Sequence, residues 1–466
     1  MVFSSAIFIF LFLPLVLLCY FLSPRKLKNY VLLFFSLVFY IFGGPKFLLV
    51  LLAVVLIDYV GAILIHKTNK KKLFLILTIT CNILVLVYFK YTGFFLENVN
   101  SIFGLKITIP KIVLPIGISF YTFQAMSYVI DVYRNKVKLQ KNFLTLLLYV
   151  SLFPQLVAGP IVRYETIEDE LNNRKETFND VSEGIKRFIL GLAKKVIIAN
   201  QMGLLADTIF GLNELSTPVA ILGGIAYMFQ IYFDFSAYSD MAIGLGRIFG
   251  FKFLENFNFP YISKSITEFW RRWHISLSTW FRDYIYIPLG GNRKGIKRQI
   301  INMLIVWLLT GFWHGAEWNF VLWGLYYFIF LVLEKFVLNK FLDKLPNVLK
   351  HVYAIVVIYF GWILFRCDSM ELLKHYFNAL FSFNFSAMSF NEILIYLESY
   401  YVYFILAIIF STPVYYKLVE KISSVKNKKL KLVLDIIHYL GLIVIFIITI
   451  MFLAYSSYNP FIYFRF

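Results

Sequence analysis

Long apolar segments separated by short basic loops are the feature that most constrains the fold of this chain. Hydrophobic residues make up 60% of the sequence and charged residues only 15%, whereas soluble domains average about 45–50% and 25%. A helix that spans a bilayer needs about 20 predominantly apolar residues. We therefore predict an all-α, polytopic integral membrane protein.

Several apolar segments are shorter than a full span, so we expect fewer spans than segments. We predict about eleven transmembrane helices, together with re-entrant or interfacial helices. The polar stretch 163–180 is predicted to be a loop with a short surface helix. The candidate membrane helices cover about 3–22, 30–42, 46–65, 73–90, 112–130, 143–160, 184–202, 217–235, 299–315, 318–338, 351–366, 397–416 and 432–455.

Basic residues are clustered in the loops, and the formal net charge is +19. Because lysine and arginine are enriched on the cytoplasmic side of membranes, loops 24–28, 66–72 and 293–298 are predicted to lie inside and loop 92–111 outside. The amino terminus is then extracytoplasmic, and the protein a multi-pass protein of the plasma membrane. Anchoring to membrane lipids accounts for most of the cations. Nucleic acid is excluded as a partner, because no soluble domain exists to bind it.

The cysteines give no sign of a metal or redox centre. Cys19 and Cys81 lie in apolar runs and Cys367 follows an arginine, without the spacing of a disulfide framework or a metal site. We predict neither a metal site nor a tightly bound cofactor.

His314, in the sequence Gly311-Phe-Trp-His-Gly315, is the strongest candidate for a functional residue. It lies in an apolar and aromatic stretch from Ile300 to Phe330. An ionisable group in the middle of a membrane segment costs about 2.5–3.5 kcal/mol, so it is a functional candidate by default. Neutral histidine is accessible near pH 7 and can accept a proton. The alternative is a histidine hydrogen-bonded inside a helix bundle.

The stretch from Ser265 to Tyr284 is predicted to form one amphipathic helix. Ser265 and Glu268 have the spacing of a capping box, and the aromatic residues recur at three- and four-residue steps. A polar row beside them contains Thr267, Arg271, His274, Ser278 and Arg282. An interfacial helix with tryptophans at the headgroups is the alternative, but it leaves the position of His274 unexplained.

Four carboxylates lie within apolar stretches, at Asp58, Asp131, Asp234 and Asp240. Structural ion pairing is the expected role, because buried charges are usually paired. Asp234 and Asp240 are close in sequence to Arg247, a candidate partner.

Two long motifs resemble those of the membrane-bound O-acyltransferase family, and more narrowly its alginate O-acetyltransferase branch. The first runs from Trp270-Arg-Arg-Trp-His274 to Lys294, and the second from Leu309 to Ala316. The Pro288-Leu-Gly-Gly-Asn-Arg-Lys294 run is nearer to that branch than to the related D-alanyl transferases of teichoic-acid modification. Further similar stretches are 114–124, 153–160, 234–246, 365–367 and 461–466.

The resemblance implies roles for residues of both motifs. It implies that His314 is catalytic and that His274 is also important. We assign their neighbours in the motifs to substrate binding: Trp313, Trp273, Arg271, Ser278 and Arg282.

The resemblance also implies an architecture and substrates. Residues 1–466 would form one membrane-bound O-acyltransferase domain around a central tunnel, with N-terminal helices over 1–90, a catalytic core over 110–340 and C-terminal helices over 350–466. A cytoplasmic opening would admit acetyl-CoA or another activated acetyl donor, and an outer funnel would lead to the acceptor. A partner acyltransferase with an outward-facing catalytic domain is expected to receive the acetyl groups.

The leading hypothesis is an O-acetyltransferase that passes acetyl groups from a cytoplasmic donor to an exported cell-surface polysaccharide. D-alanyl transfer to teichoic acid is an alternative within the family. A transporter in which His274 and His314 relay protons and a scaffold for a secretion complex are alternatives from other classes.

Overall fold

The structure, a computed structural model, describes residues 1–157, 159–385, 387–456 and 458–462, and every regular element within them is a helix. Eight of these helices are long and apolar enough to cross a membrane, and two shorter helices are also apolar. The prediction of an all-α polytopic membrane protein is therefore confirmed. The side of the membrane on which each loop lies stays a prediction.

The chain forms two compact units, and the first contains Met1–Phe188 and Met241–Leu254. Helices α9 and α10 each run from one unit into the other. The helices that begin in the first unit are α1 Phe8–Leu22, α2 Lys28–Ile41, α3 Pro45–Lys67, α4 Lys71–Phe103, α5 Ile118–Tyr133, α6 Phe143–Ser151, α7 Phe153–Leu156, α8 Tyr164–Asn173 and α9 Phe178–Phe210.

The second unit contains Ile189–Asp240 and Glu255–Phe466. It holds both candidate histidines. Its further helices are α10 Thr217–Ile248, a 3-10 turn Pro260–Ile262, α11 Ile266–Arg272, α12 Ile275–Phe281 with a π-helical turn Arg282–Tyr286, α13 Gly295–His314, α14 Trp318–Leu342, α15 Asn347–Arg366, α16 Met370–Phe381, α17 Ala387–Phe410, α18 Val414–Ser423 and α19 Lys428–Tyr455.

Helix α4 is longer than predicted, and this corrects the proposed outer loop 92–111. The helix continues to Phe103 and ends at Gly104, whose φ of 65° is the left-handed conformation of a C-terminal glycine. The residues after Lys90 end the apolar run, but none of them before Gly104 is a proline, and the helix continues through Gly93. Hydropathy therefore marked the end of the apolar segment and not the end of the helix.

Two further segments are broken or shifted relative to the prediction. The segment 143–160 forms two helices because Leu152, at ψ 112°, interrupts it just before Pro154. The segment 112–130 becomes helical only at Ile118, after Gly117 at φ 74°. The surface helix predicted within 163–180 is confirmed as α8.

Two of the four carboxylates in apolar stretches form ion pairs, as expected. Asp234 pairs with Lys195 and Asp240 with Lys194. Asp58 differs, because it accepts a hydrogen bond from the amide of Asn82 at 2.8 Å. The suggestion that Arg247 pairs with Asp234 or Asp240 is wrong, since Arg247 pairs with Asp180 at 3.2 Å.

Candidate active site

The stretch predicted as one amphipathic helix from Ser265 to Tyr284 is two short helices, and the break falls at His274. Ser265 caps α11 as predicted, accepting a hydrogen bond from the Glu268 N–H at 3.0 Å. Trp273 then adopts an extended conformation, and His274 lies in the left-handed region at φ 44°, ψ 55°. The apolar periodicity persists because both short helices bury the same kind of residues, so it gave no sign of the break.

Asn256 stabilises this break. Its carbonyl oxygen accepts a hydrogen bond from the Ile275 N–H at 2.9 Å. Its side-chain oxygen accepts from the N–H and the hydroxyl of Ser276, at 3.1 and 2.9 Å. A non-glycine residue in the left-handed region costs about 1–3 kcal/mol, and such strain clusters at functional sites. The backbone of His274 is therefore held in a costly conformation by neighbouring groups.

Close packing of α13 against α14 positions His314, the last residue of α13. A Cβ atom on Gly311 would lie 2.4 Å from the carbonyl oxygen of Phe320, and one on Gly324 would lie 2.5 Å from that of Trp307. Both distances are too short for any side chain, so glycine is required at both positions. Small residues let membrane helices approach closely, and here the approach fixes the end of α13.

The two histidines lie on either side of Trp313. The Trp313 ring is 5.6 Å from the His274 ring and 5.0 Å from the His314 ring, measured between centroids. His274 is 1% exposed and His314 is 3% exposed. Trp323 and Phe365 pack edge-on against His314, at 5.0 and 5.1 Å. Aromatic rings therefore hold both imidazoles in place.

Both histidines line one cavity of about 620 Å³. Arg271, Ser278 and Arg282, the predicted substrate-binding residues of the polar row, also line it. A cavity of this size falls in the range of about 300–1,000 Å³ that is typical of small-molecule sites. Five of the seven predicted site residues therefore line one cavity.

The two predicted tryptophans lie behind the cavity lining. Trp313 separates the histidines as described, and Trp273 packs in the aromatic core, 4.6 Å from the ring of Trp362. Their assignment to substrate binding stays a prediction, and the structure gives both a clear role in positioning their neighbours.

The two arginines of the cavity have different surroundings. Arg282 donates two hydrogen bonds to Asp283, at 2.7 and 3.1 Å, which offsets part of its charge. Arg271 is exposed where it lines the cavity. Arg271 is therefore the better placed of the two to bind an anionic group.

His274 is an uncharged residue at neutral pH. It lies between two short helices outside the eight apolar spans. Its burial lowers its pKa from 6.5 to about 3, because burial disfavours the charged form. The neutral ring has one hydrogen-bond donor and one acceptor, so His274 is suited to orienting a group.

A second cavity, of about 150 Å³, lies beside the same helices. Its lining includes Gln230, Asn319 and Phe365. Phe365 belongs to the similar stretch 365–367, whereas Gln230 and Asn319 were not predicted, although a glutamine inside an apolar helix is a recognisable signal. Of the predicted terminal stretch 461–466, Phe461 and Ile462 line this cavity, and 463–466 lie outside the described residues.

Metal ligands are not grouped within the described part of the chain. No three histidine, cysteine, aspartate or glutamate residues there are arranged to hold an ion. The prediction of a metal-free site is not tested by this observation and stays a prediction.

Comparison with known proteins identifies the family to which the sequence is similar. The sequence model of the membrane-bound O-acyltransferase family matches residues 10–373. The probable alginate O-acetylase of Azotobacter vinelandii is 44% identical over 392 residues, covering 82% of this chain and 78% of the relative. The peptidoglycan O-acetyltransferase of Helicobacter pylori is 37% identical over 414 residues, covering 80% and 78%.

A more distant relative is the teichoic acid D-alanyltransferase of Bacillus subtilis. It is 33% identical over 267 residues, which cover 54% of this chain and 67% of the relative. The resemblance seen in the histidine motifs is therefore confirmed at the level of the family.

The fold and the site together define a polytopic membrane enzyme with two buried histidines on one cavity. The chain belongs to the membrane-bound O-acyltransferase family. It is an acyltransferase.

Proposed function

We propose that the protein passes acetyl groups from a cytoplasmic donor to hydroxyls of an exported cell-surface polysaccharide. The observation that carries this proposal is the common cavity of His274 and His314. The acetylating relatives support acetyl as the group transferred, since they cover about four fifths of the chain. The D-alanylating relative covers only 54% of it.

The first cavity is proposed to bind the donor, acetyl-CoA or another activated acetyl thioester. Its volume of about 620 Å³ suits the arm of such a donor. The guanidinium of Arg271 would bind phosphate or another anionic group of the donor through charge-assisted hydrogen bonds. The acetyl group would then lie near His314.

His314 is proposed to act as the general base. It takes the proton of the acceptor hydroxyl as the hydroxyl oxygen attacks the acetyl carbonyl carbon. The carbon–sulfur bond then breaks, and the proton passes from the imidazole to the departing thiolate. The products are an acetyl ester and a free thiol. Neutral His274 would orient the acceptor or the thioester by a hydrogen bond.

The proposed topology follows from the charges of the loops. The basic residues 293–298 do not form the predicted loop, because α13 begins at Gly295. They would face the cytoplasm of a cell whose plasma membrane holds the protein, with the amino terminus outside. The sixteen helical residues from Arg298 to His314 rise about 24 Å. The imidazole would then lie deep enough to serve substrates from both sides.

An extracytoplasmic partner acyltransferase is proposed to act with this protein. The loop after α4 begins only at Gly104, so it is shorter than the predicted loop 92–111. It is too short to form an independent domain, because such domains need about 50 residues. A long polymer would therefore be held by the mouth of the outer funnel or by the partner, which this protein supplies with acetyl groups. If the purified protein acetylates an exported polymer as efficiently as native membranes do, this part of the proposal fails.

The donor proposal is tested with purified protein in nanodiscs. We expect acceptor-dependent release of thiol from acetyl-CoA, with much slower turnover of a D-alanyl thioester. Arg271→Ala should raise KM for acetyl-CoA, and Lys297→Ala, which removes a cation outside the cavity, should not. Preference for the D-alanyl donor would overturn the acetyl assignment. Uptake of a solute or protons without thiol release would indicate a transporter instead.

A further inference from the structure

Two carboxamide side chains in the second cavity have unused hydrogen-bonding capacity. Gln230 is 4% exposed and Asn319 is 5% exposed, and both line the cavity. Within the described residues, neither Gln230 Oε1 nor Asn319 Oδ1 has a hydrogen-bond donor. Native proteins pair nearly all such buried acceptors, so an unpaired one needs an explanation. Two in one cavity indicate a ligand that supplies hydrogen-bond donors.

Asp207, one of the carboxylates that line this cavity, already has hydrogen-bond partners. Asp207 accepts a hydrogen bond from Arg366 at 2.8 Å and another from the Tyr458 hydroxyl at 2.6 Å. The Arg366 guanidinium also lies over the ring of Phe210, at 5.1 Å from its centroid. Asp207 and Arg366 therefore form a fixed wall of the cavity.

The carboxyl-terminal segment forms another wall, and buried charges hold it there. Lys195, which pairs with Asp234, also donates a hydrogen bond to the carbonyl of Pro460. Asp234 accepts a hydrogen bond from the Ile462 N–H at 2.7 Å. Pro460 and Ile462 both line the cavity. The cavity thus has its shape before any ligand binds.

One aromatic layer separates this cavity from His314. The Phe365 ring, which lines the second cavity, packs at 5.1 Å from the imidazole of His314 and at 5.0 Å from the ring of Phe320. His314 itself lines the first cavity. The imidazole therefore lies between the proposed donor cavity and the second cavity.

We propose that the second cavity is a subsite for a sugar ring of the acceptor, with Gln230 and Asn319 accepting hydrogen bonds from two of its hydroxyls. This inference rests on the proposed function and names the group that the acceptor side recognises. Two separate acceptor atoms require two donors, which adjacent hydroxyls of a sugar supply and a single serine hydroxyl does not. The volume of about 150 Å³ is well above the roughly 10–15 Å³ that one water needs. Phe320 and Phe365 provide the apolar faces against which a sugar ring packs.

The test compares KM values of purified variants for two substrates, methyl β-D-glucopyranoside as acceptor and acetyl-CoA as donor. Asn319→Leu and Gln230→Leu remove one acceptor atom each and should raise KM for the glucoside about 5- to 150-fold. KM for acetyl-CoA should change by less than about twofold. Asn319→Asp keeps the acceptor oxygen and should recover most of the affinity for the glucoside.

Asn302→Leu is the matched control. Asn302 is also a buried asparagine whose Oδ1 has no donor within the described residues, but it lies outside the two cavities described here. Its loss should leave KM for the glucoside unchanged even if the protein is less stable. An equal rise of this KM in Asn302→Leu would overturn the subsite.

Direct binding separates this inference from the proposed function. Methyl β-D-glucopyranoside should raise the Tm of the wild-type protein in the absence of any donor, and should do so less for Asn319→Leu. Binding without acetyl transfer would contradict the proposed function and leave the subsite standing. If the glucoside neither binds nor reacts while N-acetylserine amide is acetylated, the sugar subsite is wrong.

Discussion

His274 and His314 line the same cavity, but their surroundings give them different chemistry. His314 ends a long helix among aromatic rings. His274 lies in a strained turn that Asn256 holds in place. A group that orients a substrate must keep its position, and a group that takes a proton must lie close to the acceptor, as His314 does beside Phe365 of the second cavity. We therefore assign positioning to His274 and proton transfer to His314.

Substitution of His274 tests the positioning role. His274→Ala should lower kcat strongly, because both hydrogen-bonding atoms of the ring are lost. His274→Gln keeps a donor and an acceptor and should lose less. The variants are compared by thiol release from acetyl-CoA, with melting curves to confirm folding. Normal rates in both variants would leave His274 with a purely structural role.

The stability of the protein should depend on pH through His274. Its folded pKa of about 3 lies below the ordinary histidine value of about 6.5, so the unfolded chain binds a proton at pH values between the two. Stability is therefore fully present above about pH 6.5 and is lost as the pH falls toward 3. The Tm of wild type should drop more than that of His274→Gln between about pH 7 and about pH 5. Parallel losses in the two proteins would contradict a buried, neutral His274.

At the scale of the element, the crossing of α13 and α14 determines where His314 lies. Gly311→Ala would place a methyl group against the backbone of Phe320, 2.4 Å from its oxygen, and backbone cannot move aside as a side chain can. We expect a lower Tm and a large loss of kcat. Gly441→Ala in α19, where nothing lies within 4 Å, is the matched control and should behave as wild type. If Gly311→Ala retains wild-type Tm and kcat, the close crossing does not position the site.

The helices and turns of the structure also show which features the sequence predicts from local patterns and which depend on distant residues. The cap at Ser265 and the apolar segments other than 112–130 and 143–160 were predicted correctly, because hydropathy and capping are local properties. The left-handed backbone of His274 was not, because Asn256 imposes it from eighteen positions away in the chain. The end of α4 was predicted too early, because the residues that follow the apolar run still form helix as far as Phe103. The site histidines were identified by their motifs, whereas Gln230 and Asn319 became visible only when the fold placed them in one cavity.

At the scale of the whole molecule, the orientation in the membrane is open to a direct test. Lys297 is exposed at the start of α13, and Lys297→Cys in a background without Cys19, Cys81 and Cys367 should react with an impermeant maleimide only from the cytoplasmic side. Lys106→Cys, in the loop after α4, should react only from the outside. The reverse pattern would invert the proposed path of the acetyl group. This pattern is predicted from the positive charges of the loops.

The most direct test of the account measures whether His314 transfers acetyl groups across a membrane. Proteoliposomes would receive acetyl-CoA labelled in the acetyl group on the outside and hold methyl β-D-glucopyranoside inside. The account predicts labelled ester in the lumen for wild type and for His351→Ala, whose histidine bonds the Ser263 carbonyl away from the cavity. His314→Ala should be about 10²- to 10⁴-fold slower, the usual cost of losing a general base. Wild-type rates of luminal ester formation by folded His314→Ala would contradict the account.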